Sequence, residues 1–236
     1  MKREHLNWFS PSLGRHMELL AFGHGGVPIL AFPSSMGRYF EWEDFKMAEA
    51  LSHQLGGGHN QLICVDSVDS ESFYNKHVDP FVRIKRYQQY EAYIVNEVIP
   101  FVRQRTGSEF IIAAGASFGA YHAANLVFKH PHLFGKLIAL SGAYDIKSFM
   151  DGFYNNDVYF NNPMDYMSNL SDSDMIRAID SNQIVLTIGE GDPCKEANFS
   201  MSGILHAKGI GHHVDMVPGF GHDWPFWRDL VRKHIA

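Results

Sequence analysis

A serine hydroxyl set in Gly115-Ala116-Ser117-Phe118-Gly119 is the sharpest chemical signal in this chain. It follows the apolar stretch EFIIAA and precedes the small-residue run AYHAANLVF, a strand passing into a helix. At such a junction the small flanking residues let the backbone turn sharply, and the turn lifts the serine oxygen clear of the sheet. The helix that starts there points backbone N–H groups at negative charge developing on a carbonyl under attack. A serine hydroxyl is a weak nucleophile at neutral pH, so this reading demands a base.

Fourteen histidines compete for that role. His222 stands in the loop PGFGHDW, directly after a strand and before the last helix, which puts it at the same sheet edge as the serine. His24 lies in a His-Gly-Gly that imitates an oxyanion motif, but it precedes a strand and is expected at the opposite end of the sheet. His122 falls one turn into the helix after Ser117; His130, His132, His212 and His213 read as packing or solvent-facing residues. A carboxylate must fix the imidazole tautomer and stabilise its protonated form. Asp192, in the loop EGDPC after the strand QIVLTIG, is the choice, with Glu190 and Asp145 as competitors. The order Ser117, Asp192, His222 is the nucleophile, acid, histidine order of the α/β-hydrolase fold. The oxyanion donors are then the N–H of Phe118 and one N–H from the loop Pro33-Ser34-Ser35-Met36-Gly37, with Ser35 preferred and Met36 second.

The elements that must position these groups alternate along the chain. Apolar, β-branched runs at 17–22, 27–32, 61–67, 109–115, 136–142, 183–189 and 213–218 predict strands, and helical spacing appears at 42–54, 84–105, after Ser117, at 196–208 and at 223–235. Such alternation predicts a mostly parallel central sheet with helices on both faces. The first two runs are separated only by Gly23-His24-Gly25-Gly26, which predicts that they pair as an antiparallel hairpin. Between about 143 and 182 the chain is rich in Tyr, Phe, Asn and Asp, and reads as a lid-like insertion, with a structural excursion or a contact in a homo-oligomer as alternatives.

Composition narrows the function. With 236 residues, 45% of them hydrophobic, the chain can bury one large core, so residues 1–236 are expected to form a single domain. The net charge of −6 and the lack of basic tracts longer than pairs argue against nucleic acid. No apolar run reaches the roughly eighteen residues of a membrane span, and the first residues lack the pattern of a secretory signal, so a cytoplasmic location is expected. The two cysteines, Cys64 in an apolar run and Cys194 after an acidic loop, read as reduced thiols rather than a disulfide, a zinc site or a nucleophile. No cofactor or metal is implied.

The stretches VPILAFPSSMG, GASFGAYHA, KHPHLFGKLIALSG, GEGDP and GFGHDWPFWRDL together resemble the putative-esterase (esterase D) family of α/β hydrolases, related to S-formylglutathione hydrolases and mycobacterial mycolyltransferases. The resemblance spans most of the chain. It implies a triad of Ser117, Asp192 and His222 and cofactor-free hydrolysis or transfer of acyl groups, with a small ester as substrate. Two positions depart from the family pattern: Pro33-Ser34 replaces the usual His-Gly or Asp-Gly of the oxyanion loop, and Ala120 replaces a second glycine after the elbow. An acyltransferase using the same triad and a non-catalytic binding protein on the same fold are the competing readings. Trp224 is a candidate lining residue, and Trp227 is assigned to the core.

Overall fold

The computed structural model describes residues 1–235. Eight strands form one sheet: β1 (Arg3–Ser10), β2 (Arg15–Phe22), β3 (Val27–Phe32), β4 (Asn60–Val65), β5 (Ile112–Ala116), β6 (Lys136–Leu140), β7 (Gln183–Gly189) and β8 (His213–Val217), in the order β1-β2-β4-β3-β5-β6-β7-β8. From β4 to β8 every neighbouring pair is parallel. β4 and β5 are buried at every residue, as strands covered on both faces must be. This is the mixed α/β architecture expected, with an antiparallel N-terminal ribbon.

The ribbon is not made of the two runs on which the sequence reading placed it. β2 and β3 do not pair; β4 lies between them, antiparallel to β2 and parallel to β3, so that Cys64 is opposite both Leu20 and Ala31. Gly23 to Gly26 therefore bridge two strand spacings, roughly 10 Å, across the start of β4. Gly26, at φ 80°, runs so close to that start that an added Cβ would sit 1.9 Å from His59 O. The actual hairpin joins β1 to β2 through residues 11–14, closed by Gly14 N–H donating to Ser10 O. β1 was missed, although its alternation is of period two: Leu6 and Trp8 point inward while Arg3, His5, Asn7 and Phe9 are exposed.

Helices cover both faces. On one side α1 (Glu41–Asp44), α2 (Met47–Ala50) and α3 (Ser52–Gly56) replace the single helix expected over 42–54. Lys46 adopts a left-handed φ of 62° and breaks it, while Trp42, Met47, Leu51 and Leu55 still reach the core. The opposite face carries α4 (Pro80–Tyr93), which passes through a wider turn at Ile94–Val98 into α5 (Ile99–Thr106), and α6 (Phe118–Lys129). α4 starts at Asp79, whose carboxylate accepts from Phe81 N–H, with Pro80 in the first turn where its missing N–H costs nothing. The segment after β6 folds into short helices, α7 (Asn156–Tyr159), α8 (Pro163–Asn169) and α9 (Ser173–Asp180), followed after β7 by α10 (Lys195–Ala207) and after β8 by α11 (Trp224–Ile235). Tyr144, Ile146, Met150, Val158, Met167 and Ile179 anchor that segment in the α4–α6 core, whereas α11 packs with α1 to α3 on the other face. Among the described residues no helix is long and apolar enough to cross a membrane.

Replacing the fully buried Leu30 of β3 by alanine should cost about 2–5 kcal/mol, while Val82→Ala on the exposed side of α4 should stay within about 0.5 kcal/mol. Urea unfolding followed by circular dichroism checks both.

Candidate active site

Five loops leave the carboxyl ends of β3, β5, β6, β7 and β8 at one edge of the sheet, and the candidate residues sit on them. Ser117 ends β5 and opens α6 with φ 56° and ψ −118°, a backbone region strained for any residue with a side chain. Its N–H donates to Leu140 O, tying the elbow to β6. The turn is possible because two glycines leave room. A Cβ at Gly115 would lie 2.2 Å from the Gly119 backbone, and one at Gly119 would lie 2.5 Å from both Phe32 O and Pro33 O. The start of α6 thus rests directly on the loop after β3.

That loop is held from several sides. Glu41 accepts from Ser34 N–H and Ser34 Oγ, at 2.6 and 2.8 Å; Asp69 accepts from Met36 N–H at 3.0 Å; Gly37 N–H donates to Ser34 O, and Gly37 O accepts from Ser67 Oγ. Ser35 is left as the one residue of 34–37 whose N–H has no internal acceptor among the described residues. Met36, the second choice from sequence, has its N–H committed to Asp69.

Asp192 and His222 are brought together by a second pair of loops. Glu190 N–H donates to Val217 O and Gly191 N–H to Phe220 O, so the loops after β7 and β8 are joined backbone to backbone. His222 Nδ1 then lies 3.1 and 3.2 Å from the two carboxylate oxygens of Asp192. The Asp192 side chain is wholly buried and that of His222 is 25% exposed. Glu190 and Asp145 are engaged elsewhere: Glu190 accepts from Gly219 N–H, and Asp145 from Lys147 N–H and Asn162. Burial pushes the Asp192 carboxyl up, but His222, the Ser141 hydroxyl and Cys194 N–H outweigh it and hold the group below the usual carboxylate value. Burial likewise pulls His222 down, and Asp192 with the neighbouring Cys194 thiol more than reverses this, raising the imidazole to about 9.

One supporting residue, Ser141, escaped the sequence reading, and a second, Trp227, does more than its core assignment implies. Ser141, at φ 53° just after β6, accepts from Trp227 Nε1 at 2.9 Å and supports Asp192. Trp227 is a core residue as assigned, and its ring also meets that of His222 edge-on at 4.9 Å. Trp224 stacks on Phe45 at 4.5 Å. His24 sits beside Gly58, at the opposite end of the sheet from Ser117. No hydrogen bond joins Ser117 to His222 among the described residues; the histidine, after β8, is paired with Asp192, and the serine follows β5 at the same edge of the sheet, with β6 and β7 between them. Asp192, Cys194 and His222 offer three donor atoms within 4.8 Å of one another. Asp192 already accepts from both the His222 ring and Cys194 N–H, which is the pattern of a hydrogen-bonded dyad.

A family model described as "Putative esterase" matches residues 45–236. Among solved structures the chain is similar to a ferulic acid esterase, at 16% identity over 99% of this chain and 96% of that one, with a TM-score of 0.81. It is also similar to the S-formylglutathione hydrolases of Agrobacterium tumefaciens (14% identity, 99% and 92% covered, TM-score 0.76) and Staphylococcus aureus (15% identity, 99% and 97% covered, TM-score 0.71). At such identities these likenesses establish the shared α/β-hydrolase fold. A search of curated sequences finds no match.

Because a Cβ at Gly119 would meet backbone oxygens, Gly119→Ala should destabilise the protein by roughly 1–3 kcal/mol and slow labelling of Ser117 by a fluorophosphonate. Thermal melting and a labelling time course read the two effects.

Proposed function

The chain belongs to the putative-esterase family and is a serine esterase, and from that premise we propose that it hydrolyses small carboxylic esters with short acyl groups through an acyl-enzyme on Ser117. The observation that carries this reading is the buried Asp192 carboxylate gripping His222 Nδ1, which leaves Nε2 as the working nitrogen, at the sheet edge where Ser117 occupies a strained elbow. In the first step His222 takes the Ser117 proton as Oγ bonds to the ester carbonyl carbon. Phe118 and Ser35 N–H groups receive the oxyanion, and the alcohol leaves with the proton from His222. Water then attacks the acyl-enzyme, the same imidazole accepting its proton and returning it to Ser117 as the acid departs. The hydroxyl and imidazole must close to hydrogen-bond distance when substrate binds.

Short acyl groups are favoured because the helices between β6 and β7 have four, seven and eight residues, too short for a long apolar lid. A cavity of about 410 Å³ lies between the C-terminal half of α6 and residues 159–175, and none of the three site residues lines it.

Ser117→Ala should remain folded and lose p-nitrophenyl acetate hydrolysis by several powers of ten; an unchanged rate would remove the assignment. The pH profile is a separate check. Catalysis needs neutral imidazole, and His222 stands at about 9, so kcat/KM should rise about tenfold per pH unit from pH 6 to 8 and level near 9. Stability moves oppositely: the imidazolium–Asp192 contribution is full below the unfolded histidine value of about 6.5 and is lost as pH rises through 9. A kcat/KM already flat at pH 6.5 would contradict this picture of the dyad.

A further inference from the structure

Two buried side chains outside the Ser117, Asp192 and His222 group tie the loop after β3 to the helix of the nucleophile. Asp69 follows β4 and is 1% exposed. One of its oxygens accepts from Met36 N–H at 3.0 Å and the other lies 3.0 Å from His122 Nε2. His122 sits on α6, five residues beyond Ser117, and is also 1% exposed. Since a carboxylate oxygen accepts, Nε2 is the donor of this pair, and Nδ1 has no partner among the described residues. The ring is enclosed by Phe32, Tyr87, Tyr90, Phe118 and Tyr121. A buried polar pair with one nitrogen orphaned is an expensive way to fill space between aromatic rings. What it achieves is a fixed acceptor for one particular amide.

That amide belongs to Met36, whose φ of 61° is unfavourable for a residue with a side chain. Without the Asp69 acceptor the Ser35–Met36 peptide could rotate and relax the strain. Rotation of that peptide changes the setting of Ser35, the one residue of 34–37 with an uncommitted N–H.

We propose that Asp69 and His122 are positioning residues for acyl transfer, holding the 34–37 loop against α6 so that the Ser35 N–H is aimed at the oxyanion formed beside Ser117. This rests on Ser117 being the nucleophile. Loss of aim should act on the transition state rather than on ester binding, so kcat should fall while KM stays nearly constant.

The test uses Asp69→Ala, Asp69→Asn and His122→Phe, with p-nitrophenyl acetate as substrate and circular dichroism melting to establish folding. Asp69→Ala should lower kcat by about 10²- to 10³-fold, the effect of losing one oxyanion donor, with KM within about threefold. Asp69→Asn keeps an oxygen for Met36 N–H and should recover most of that loss. His122→Phe keeps an aromatic ring, removes the donor to Asp69, and should lower kcat about tenfold at unchanged KM. A folded Asp69→Ala protein with wild-type kcat, or equal kcat for the Ala and Asn variants, overturns the positioning role. If the alanine variant does not fold, wild-type kcat in His122→Phe overturns it instead. Failure of the underlying reading looks different, since Ser117→Ala would then retain the wild-type rate.

Discussion

The positive φ at Ser117 is the constraint on which the rest of the site depends. A side chain there costs of order 1–3 kcal/mol, so the conformation persists only if its surroundings allow no other. β5 lies between β3 and β6, the Ser117 N–H is bonded to Leu140 O, and α6 is buried along nearly its whole length. With those ends fixed the chain can pass from strand to helix only through this turn. The absence of side chains at Gly115 and Gly119 then brings the first turn of α6 within contact of Pro33. The Ser117 elbow and the loop after β3 are in this sense two sides of one backbone contact.

Asp192 and His222, the proposed acid and base, are organised on another basis. Their loops exchange backbone hydrogen bonds, and the pairing of Asp192 with His222 follows from the loops being joined. A carboxylate without solvent contact is unfavourable unless donors compensate, and here the imidazole, the Ser141 hydroxyl and Cys194 N–H do so. The same interaction holds the proton on His222. In the proposed mechanism this trades readiness of His222 as a base at neutral pH for a firmly oriented ring.

Much of this was legible in the sequence because it depends on local pattern. The serine elbow, the parallel strands and the position of Asp192 and His222 after successive strands follow from apolar runs interrupted by loops carrying polar residues. Two kinds of feature were not. The pairing of β2 with β4 rather than β3 depends on which strand inserts between them, and the four-residue Gly23–Gly26 link is compatible with a hairpin and with a two-strand bridge alike. Ser141, Asp69 and His122 act through partners far away in sequence, such as Trp227 at 86 residues and Asp69 at 53. Nothing near those residues announces such partners. β1 is a different case, since the alternation around Leu6 and Trp8 is itself a local pattern of period two.

The ribbon at the N-terminus has a consequence for how molecules meet in concentrated solution. β1 is the outermost strand, and its unpaired border would be an open template for another chain to add a strand. At its start stand Arg3, Glu4 and His5, with Arg3 held to Glu43 and Arg105 to Glu4. Charges fixed in this way make strand addition costly, because an incoming backbone would have to desolvate or displace them. β8, at the far border, is only five residues long. A short strand at one border and fixed charges at the start of the other both disfavour strand addition at the flanks of the sheet.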